Sequence, residues 1–570
     1  MSDHTRGILF VVAVIAITFI WLRFFQPPAP PPQKQAPAAT KTAPVQAPGA
    51  GSAQPAGLAT PAAPVAQNVP TVHATSEKFI VVESGLYRVE LSNRGGVVRS
   101  WKLKNYFDDQ KKPQPLDLVN PDASQELGWP LSLMFTDPQV ITQANTALYE
   151  VTPDSATVTA PAEITFHWSD GHLDVTKKLK FTQDYQMSIE VSAALDGRPL
   201  APAVAWLGGF GDKAVYKASQ LVTVFYKQND NLDLLQYKKL GNPSNQIQPA
   251  EQTGPLQFAG VMDQFFTAAF IPDGTDLSLW HWTQWHHYTD SENKQAADPA
   301  AEIAVGSLSG GPVKARVFVG PKDLALLGRV QPSLEQLVNF GWTGVIAKPL
   351  LFALQWLHRY IPNWGWAIVV LTLIINTAVF PLKMKSFRSM QEMQKIMPEM
   401  KQIQDKYKKY SMTDPRKKGM QDEIMALQQK HGISPFAQVG GCLPMLLQMP
   451  IWWALWRVLT GAIELRHAPF VFWIRDLSIK DPFYILPIAM AITMYLSMSM
   501  TPQSAAIDPA QQKMMRLMPL TFAVIFFTYA SGLNLYMLTS NIVGVAQQYY
   551  LNRTRPMPSN SPFKNKKKLP

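Results

Sequence analysis

The sequence WGWAIVVLTLIINTAVFPL, residues 364–382, decides the fold class of this chain. It contains no charged residue, and as an α-helix it measures about 28 Å, close to the ~30 Å hydrocarbon core of a bilayer. Trp364 and Trp366 stand at its start, where aromatic side chains anchor helices at the membrane–water interface. The segment therefore predicts a transmembrane helix.

Apolar segments on the C-terminal side predict four more spans, in residues 443–463, 483–500, 514–528 and 533–551. The last two come from one apolar block of ~57 Å, which is too long for a single crossing. Ser531-Gly532 lies near its middle and predicts a tight turn. On the N-terminal side, residues 331–362 are amphipathic and predict a helix in the plane of the interface.

The N-terminus predicts a sixth span. An apolar run in residues 8–22 lies between Arg6 and Arg23, which favours a signal-anchor helix over residues 1–26; a cleaved signal peptide is the alternative. Either way, the chain that follows is exported. Residues 27–74 are rich in proline and alanine and predict an extended tether without a core.

Charge is distributed unevenly and orients the chain. The whole protein has 570 residues and a net charge of +11. The loop 383–431 holds more Lys and Arg than acids, and the tail 552–570 is basic with no acid. Under the positive-inside rule, both are cytoplasmic. Both termini then lie inside, and the region between the first two spans lies outside.

Residues 75–330 predict an exported all-β sandwich domain. The segment Tyr87–Leu91 alternates apolar and polar residues, and the turn sequence Asn93-Arg94-Gly95-Gly96 separates it from the next strand. Later runs repeat this pattern, and helical patterns are scarce. Because the chain has one cysteine, Cys442, a disulfide scaffold and a cysteine-based zinc cluster are both excluded.

The sequence predicts no catalytic residues, no metal site and no cofactor. His281, His286 and His287 lie in a Trp-rich stretch, which is better explained by strand alternation than by a metal or catalytic site. The spans carry no run of acids or histidines for a proton relay, and the loops carry no nucleotide-binding motif. ATP-driven and proton-coupled transport are therefore not favoured.

The spans contain mild polarity instead. Thr372 and Asn376 are four residues apart on one helix face, and Gln448 and Asn534 lie in other spans. Such groups face each other or water rather than lipid. They act either as hydrogen-bonding contacts between helices or as the lining of a wet cavity. Arg457 either reaches toward the outer interface or faces that cavity.

Residues 383–432 predict a cytoplasmic helical hairpin, with Pro381 ending the preceding span. Methionines recur in its first helix at helical spacing: Met390, Met393, Met397 and Met400. They either pack the seam of the hairpin or form an adaptable surface for apolar clients, because methionine side chains repack easily.

The chain resembles the YidC membrane-protein insertase family of the long Gram-negative type in a series of motifs along its sequence. They are Asn93-Arg94-Gly95-Gly96, Gly440-Gly441-Cys442-Leu443-Pro444 with Gln448-Met449-Pro450, Glu464 to Phe470, Asp481 to Pro487, and Pro519 through Ser531-Gly532-Leu533 to Ser540-Asn541. The resemblance covers almost the whole chain.

The resemblance implies a polytopic α-helical membrane protein with a five-helix insertase core. That core encloses a hydrophilic groove open to the cytoplasm and to lipid. The implied activity is insertion and folding of nascent membrane proteins in the inner membrane, alone or beside the Sec translocon. The residues that the resemblance places in this groove are Thr372, Asn376, Gln448, Asn534 and Tyr536.

The resemblance also implies that the hairpin and the basic tail meet the ribosome. Anionic lipids are a second partner that we expect for the tail. Its basic residues are Arg553, Arg555, Lys564, Lys566, Lys567 and Lys568. Setting the membrane topology is the alternative role for both segments.

One departure from the family pattern concerns charge in the groove. The family usually has an arginine where this chain has Asn376, so an electrostatic attraction for acidic clients does not carry over to this position. Arg457 is the candidate replacement. Two other functions remain open from the sequence: an envelope enzyme or carbohydrate-binding protein acting through the β-domain, and a small-solute transporter.

Overall fold

The computed structural model describes residues 70–108, 113–211, 222–236, 250–252, 254–274, 276–289, 295–307, 310–407, 416–431, 443–500, 521 and 524–554. The predicted signal anchor, nearly all of the linker 27–74, most of the predicted span 514–528 and the tail from Arg555 onward lie outside these residues. Within them, a β-rich domain ends at Pro321, and helices follow from Leu324.

The strands of the β-rich domain are, in chain order, β1 Phe79–Glu83, β2 Tyr87–Ser92, β3 Val97–Phe107, β4 Pro115–Asp117, β5 Ser132–Met134, β6 Glu150–Thr152, β7 Thr157–Thr159, β8 Ala162–Ser169, β9 Leu173–Phe181, β10 Gln186–Leu195, β11 Arg198–Leu200, β12 Ala203–Trp206, β13 Thr223–Gln228, β14 Asn231–Gln236, β15 Ala250–Gln252, β16 Leu256–Met262, β17 Phe266–Pro272, β18 Leu277–Thr289, β19 Gln295–Ser307 and β20 Val313–Pro321.

These strands form three sheets in the described part of the chain. The largest has 10 strands and runs from β14 through β17, β20 and β10 to β6. The other two have five strands each, in the orders β4-β3-β2-β1-β7 and β15-β18-β19-β12-β5. The pairing is antiparallel except between β1 and β7, which pair in parallel. This pairing departs from the antiparallel arrangement that is usual in β-sandwiches.

Strand alternation builds the core of this domain. Along β9, the odd-numbered positions from Leu173 to Phe181 are all buried and the even-numbered ones are not, as expected for a strand with one face on a core. The inward row includes Lys177, whose amine is fully buried and donates to the backbone oxygens of Gly95 (2.7 Å), Leu131 (2.8 Å) and Gly96 (3.2 Å). The lysine therefore ties the large sheet to the Asn93-Arg94-Gly95-Gly96 turn.

The turn itself requires glycine. Gly95 has a φ of +73°, and a Cβ added there would lie 2.5 Å from the backbone oxygen of Asn145. Only glycine fits such a conformation at so close an approach. Asn93 completes the junction, because its side-chain amide donates to the backbone oxygens of Ser76 and Tyr149.

A second buried ionisable group lies on β19. The Glu302 carboxylate is fully buried, and it accepts hydrogen bonds from the Gly208 amide at 2.8 Å and the Trp282 indole at 2.7 Å. Burial raises the pKa of Glu302 to about 8. Burial likewise lowers the pKa of Lys177 to about 7. In both cases the protein interior disfavours the charged form.

The helices are α1 Pro121–Leu127, α2 Pro138–Thr146, α3 Leu324–Arg329, α4 Gly344–Tyr360, α5 Trp364–Tyr407, α6 Arg416–Lys430, α7 Leu443–Gly461, α8 Ile485–Met500 and α9 Ser531–Thr554, with short 3₁₀ turns at Glu335–Leu337, Gly341–Thr343 and Ile463–Leu465. Asn120, Asp137 and Asp323 cap α1, α2 and α3 with their side-chain oxygens, which satisfies otherwise unpaired amide groups.

Helix α5 runs without a break for 44 residues and contains both Pro381 and Pro398. The helix that carries the predicted span does not end at Pro381, so the expected break before the hairpin was wrong. Proline removes one hydrogen bond and crowds the preceding turn, but the helix resumes on its far side. The membrane segment and the first arm of the hairpin are therefore one element. Helix α6 packs against that arm, with Lys406 and Glu423 paired at 2.7 Å.

Helices α4, α5, α7, α8 and α9 share a second hydrophobic core. Its members include Leu354, Ile368, Val458, Met490 and Leu533. By length and composition, one described segment, Trp364–Arg388, is long and apolar enough to cross a membrane. Helix α8 is a shorter apolar helix.

The β-rich domain is docked on the end of α7. The Gln264 side chain donates to the Thr460 backbone oxygen at 2.6 Å, and Arg466 donates to the Phe107 backbone oxygen at 2.7 Å. Ile463 is buried in the hydrophobic core of the β-rich domain. The chain beyond α7 thus lies at the end of the helices that faces the β-rich domain.

Candidate functional site

Matching polar residues line the contact between α5 and α9. On α5 they are Thr372, Asn376 and Lys383, and on α9 they are Tyr536, Ser540 and Gln547. Both sets have steps of four and seven residues, which keep side chains on one helix face. We call these six residues the polar seam. Its arrangement follows directly from the shared spacing on two helices that run side by side.

Asn376 lies at the centre of the polar seam. Its side-chain nitrogen donates to the backbone oxygen of Thr372 at 3.0 Å and to the Ser540 hydroxyl at 3.3 Å. The Gln547 amide in turn donates to the Asn376 backbone oxygen at 3.2 Å. The Thr372 hydroxyl, in contrast, donates to Ile368 of its own helix. The two predicted residues therefore lie together, but only Asn376 bonds across to α9.

Lys383 supplies a positive charge that sequence reasoning missed. Its amine donates to the side-chain oxygen of Asn376 at 3.0 Å and to that of Gln547 at 3.4 Å. No Asp or Glu occurs in residues 336–391 or 531–570, so neither helix offers a carboxylate close by in sequence. The signal is its spacing of seven residues from Asn376, which keeps both side chains on one helix face, but a helix ending at Pro381 would place Lys383 in a loop.

Exposure along the polar seam changes from one end to the other. Thr372, Asn376 and Tyr536 are each 1% exposed. Lys383, Ser540 and Gln547, nearer the ends of the helices that carry the hairpin and the tail, are half-buried. The polar seam is thus closed toward the β-rich domain and more open toward the hairpin.

Gln448 of α7 joins the polar seam through Tyr536. Its side-chain nitrogen donates to the Tyr536 hydroxyl at 3.1 Å. The Gln448 side-chain oxygen is buried and has no hydrogen-bond partner among the described residues. An unsatisfied acceptor of this kind costs about 1–3 kcal/mol unless water reaches it.

Two other predicted groove residues lie elsewhere. Arg457 is exposed, with its guanidinium 5.4 Å from the centre of the Trp456 ring. Within the described part of the chain, it forms no hydrogen bond to the polar seam. Asn534 is fully buried and donates to the backbone oxygens of Phe526 and Tyr529. It therefore holds the turn ahead of α9.

The hairpin has a small core of its own. Met400 is buried and packs with Ile396 and Ile424 in the seam between α5 and α6. The contacts of Met400 thus support the packing interpretation. The side chains of Met390, Met393 and Met397 are outside the described residues. So is the basic tail from Arg555 onward, whereas Arg553 is described and lies exposed at the end of α9.

The three histidines of the Trp-rich stretch lie in two kinds of surroundings. His281 is buried, and neither ring nitrogen has a partner among the described residues. His286 and His287 both bond to the Glu126 carboxylate at 2.9 Å. Hydrogen bonds from His287 hold the pKa of Glu126 at about 2. Within the described ranges, no group of three or more His, Cys, Asp or Glu residues converges as a metal site would.

Comparison with known proteins matches both regions. The family model described as "60Kd inner membrane protein" matches residues 356–558. The model described as "YidC periplasmic domain" matches residues 79–353. Together with the fold, they define an inner-membrane insertase-type protein with a periplasmic β-rich domain.

Curated relatives agree along nearly the full length. A protein named "Membrane protein insertase YidC" from Pelobacter propionicus is 32% identical, over 96% of this chain and 99% of the relative. One of the same name from Geobacter metallireducens is 33% identical, over 96% of this chain and 98% of the relative. The chain belongs to the YidC family of membrane protein insertases, and the enzyme alternative is not favoured.

A solved structure is also similar. It is described as "Active YidC insertase crystal structure with the first transmembrane domain resolved". The match has a TM-score of 0.33 and 17% sequence identity, and it covers 85% of this chain and 96% of the other.

Proposed function

We propose that this chain inserts membrane proteins into the inner membrane and helps them fold, and that their polar flanks pass along the polar seam. The six spans, the five-helix core and the cytoplasmic position of both termini are part of this proposal. So are the domain boundaries given above. The clients are nascent membrane proteins, with the Sec translocon, the ribosome and anionic lipids as further partners.

The depth of the polar seam carries the proposal. Counted from Trp364 at the outer interface, Asn376 lies about 18 Å and Lys383 about 28 Å along the helix. Lys383 is thus level with the inner face of a ~30 Å hydrocarbon core, and Asn376 is well inside it. Polar groups at that depth shorten the apolar distance that a client's polar flank has to cross.

Hydration of the polar seam completes the mechanism. The unpartnered Gln448 oxygen favours water near Tyr536. The half-buried Lys383 and Gln547 favour entry of that water from the cytoplasmic side. A client's apolar segment then moves into lipid, each buried CH₂ contributing about 0.8 kcal/mol. Hydrophobic transfer drives the step, so that no nucleotide is required.

Replacing polar groups in the polar seam tests this mechanism. The double variant Asn376→Leu with Thr372→Val keeps side-chain volume but removes the bonds to Ser540 and Lys383. We expect insertion of clients with polar tails to slow at least about fivefold, equivalent to about 1 kcal/mol for a lost polar interaction. Initial rates of client protection from protease, in liposomes with purified full-length chain, measure this.

Ile374→Val is the matched control, because Ile374 is on the same helix but 52% exposed. It should insert clients at the normal rate. A stably folded double variant that inserts polar-tailed clients as fast as this control would contradict the proposed route. The solute-transport alternative predicts solute flux in the same liposomes, which the insertion mechanism does not.

A further inference from the structure

The loop between α7 and α8 presents aromatic rings on the side of the molecule that faces the β-rich domain. We call residues 466–484 the outer aromatic loop. Phe472 is 89% exposed and Phe483 is 63% exposed. Large apolar side chains grouped in this way on a surface mark a site that another apolar phase covers.

The backbone of the loop is strained where these rings project. Phe472 has a φ of +54° and Tyr484 a φ of +56°. Bulky residues rarely adopt this left-handed region, and such strain persists only where the surrounding structure imposes it. The conformation therefore points to a function for the exposed rings rather than to local backbone preference.

Fixed contacts impose this conformation. The Trp473 indole donates to the Asp481 carboxylate at 2.9 Å. The amide of Gly532, at the start of α9, donates to the Leu477 backbone oxygen at 2.8 Å, and that of Ser531 donates to the Ile479 oxygen at 2.6 Å. The loop is thus bonded to the start of α9 and holds its rings in place before any partner arrives.

In the loop, the acidic side chains are buried and two of the basic side chains are exposed. Asp476 is 7% exposed and Asp481 is 1% exposed. Asp481 accepts hydrogen bonds from the backbone amides of Phe483 and Leu486, as well as from Trp473. Arg475 and Lys480 are exposed. The outward surface of the loop is consequently aromatic and cationic, which matches an apolar phase bordered by phosphate groups.

The loop also lies at the correct end of the membrane helices. The Asn363 side chain, just ahead of α5, donates to the backbone oxygens of Pro469 and Phe470. Trp366 is 49% exposed and meets the Phe470 ring edge-on at 5.4 Å. The outer aromatic loop is therefore level with the aromatic start of α5, at the outer membrane–water boundary.

We propose that the outer aromatic loop is a lipid-binding wedge in the outer leaflet. The Phe472 and Phe483 rings lie among the upper acyl chains, and Arg475 and Lys480 bind lipid phosphates above them. The proposal is independent of the client route, since it concerns a surface outside the polar seam.

Depth measurement in lipid vesicles tests the wedge. Replacing the single cysteine, Cys442→Ser, allows a nitroxide label at Phe472→Cys in the full chain. In vesicles of phosphatidylethanolamine and phosphatidylglycerol, power-saturation spectroscopy with oxygen and a nickel chelate reports depth. We expect the label roughly 5–10 Å below the phosphate level, as for interfacial side chains. A label at Asp154→Cys, whose side chain is 71% exposed on the β-rich domain, is the aqueous control.

Two further variants keep the test decisive. If Phe472→Cys does not fold, a label at Phe483→Cys gives the same reading. The double variant Arg475→Gln with Lys480→Gln should bring the label at 472 closer to the aqueous phase. A label at 472 as accessible to the nickel chelate as the Asp154 control would overturn the proposal. So would shielding that occurs in native membrane vesicles but not in pure lipid, because the occupant would then be a protein.

Discussion

The two halves of the molecule treat a buried lysine in opposite ways. In the β-rich domain, Lys177 is fully buried and donates to three backbone oxygens. In the helical part, Lys383 is half-buried and bonds to two side-chain amides, one of them at 3.4 Å. Backbone acceptors are fixed by the fold, whereas side-chain amides rotate. The first arrangement stabilises a structure, and the second leaves a cation able to change partners.

The largest expected effect follows from removing the Lys177 amine and its three hydrogen bonds to backbone oxygens. Lys177→Ala leaves the oxygens of Gly95, Gly96 and Leu131 without their donor in a dry core. We expect the free energy of unfolding of the domain to fall by about 2–4 kcal/mol, since buried unsatisfied groups cost about 1–3 kcal/mol each and partial relaxation recovers some of it. Hydrogen–deuterium exchange of β8, β9 and β10 in the full chain measures the loss.

Lys180→Ala is the control for that experiment, because Lys180 is on the same strand with its side chain exposed. It should change stability by less than about 0.5 kcal/mol. Equal exchange rates in the two variants would show that the hydrogen bonds of Lys177 contribute little, and the contrast with Lys383 would disappear.

The next expected effect is a pH dependence of the stability of the β-rich domain. The pKa of Glu302 is raised from 4.5 to about 8 by folding, so between these values the folded state retains a proton that the unfolded state has lost. The contribution of Glu302 to stability is therefore largest at low pH and falls as pH rises through this window, by up to about 1.4 kcal/mol per pH unit. The opposite dependence from Lys177 begins only above its folded pKa of about 7.

The Glu302→Gln variant isolates this effect. Its neutral amide keeps an acceptor for the Gly208 amide and does not titrate, so stability should fall less steeply between pH 5 and pH 7 than in the unchanged chain. Urea midpoints of the full chain in detergent, followed by circular dichroism of the β-structure, give the slope. An unchanged slope in the variant would assign the pH dependence to another group.

The smallest expected effect concerns the Lys383 amine. Lys383→Met should slow insertion of clients with acidic tails about fivefold, or about 1 kcal/mol, because the amine has a donor to spare for a carboxylate. Neutral-tailed clients should be slowed less than twofold, and Lys383→Arg should retain the preference. Rates of protease protection in liposomes with both client types measure this selectivity.

Arg457→Gln is the matched control, since it removes an exposed charge outside the polar seam. It should leave both client types unaffected. If Lys383→Met slowed acidic and neutral tails equally, Lys383 would act through the packing of α5 against α9 rather than through its charge.

Alternation of apolar and polar residues predicted the strands well, but it did not predict the buried lysine or the parallel strand pair. The alternation in β9 predicts which side chains face the core, and position 177 is one of them. A lysine is not expected at a core position, because the three backbone oxygens that accept its hydrogen bonds cannot be recognised from the sequence. Those acceptors come from residues far away in the chain. The parallel pairing of β1 with β7 was not predictable for the same reason, because β7 has only three residues and no pattern of its own.

The site was predictable where helical spacing alone decides contacts. Thr372 and Asn376 were assigned to one face from their spacing, and the same rule extends to Lys383. The break expected at Pro381 concealed this extension. Asn534 and Arg457 could not be placed, because their positions depend on how the helices pack and on the turn before α9.

The unbroken course of α5 has a mechanical consequence. From Trp364 at the start of α5, Asn376 lies about 18 Å away and Tyr407 about 64 Å away along an ideal straight helix. A stiff rod that pivots at Trp364 would move Asn376 by roughly a quarter of any displacement at Tyr407. Pro381 lies between Asn376 and the hairpin and removes one helix hydrogen bond, so α5 bends most easily there and the shift transmitted to Asn376 beside α9 is smaller still.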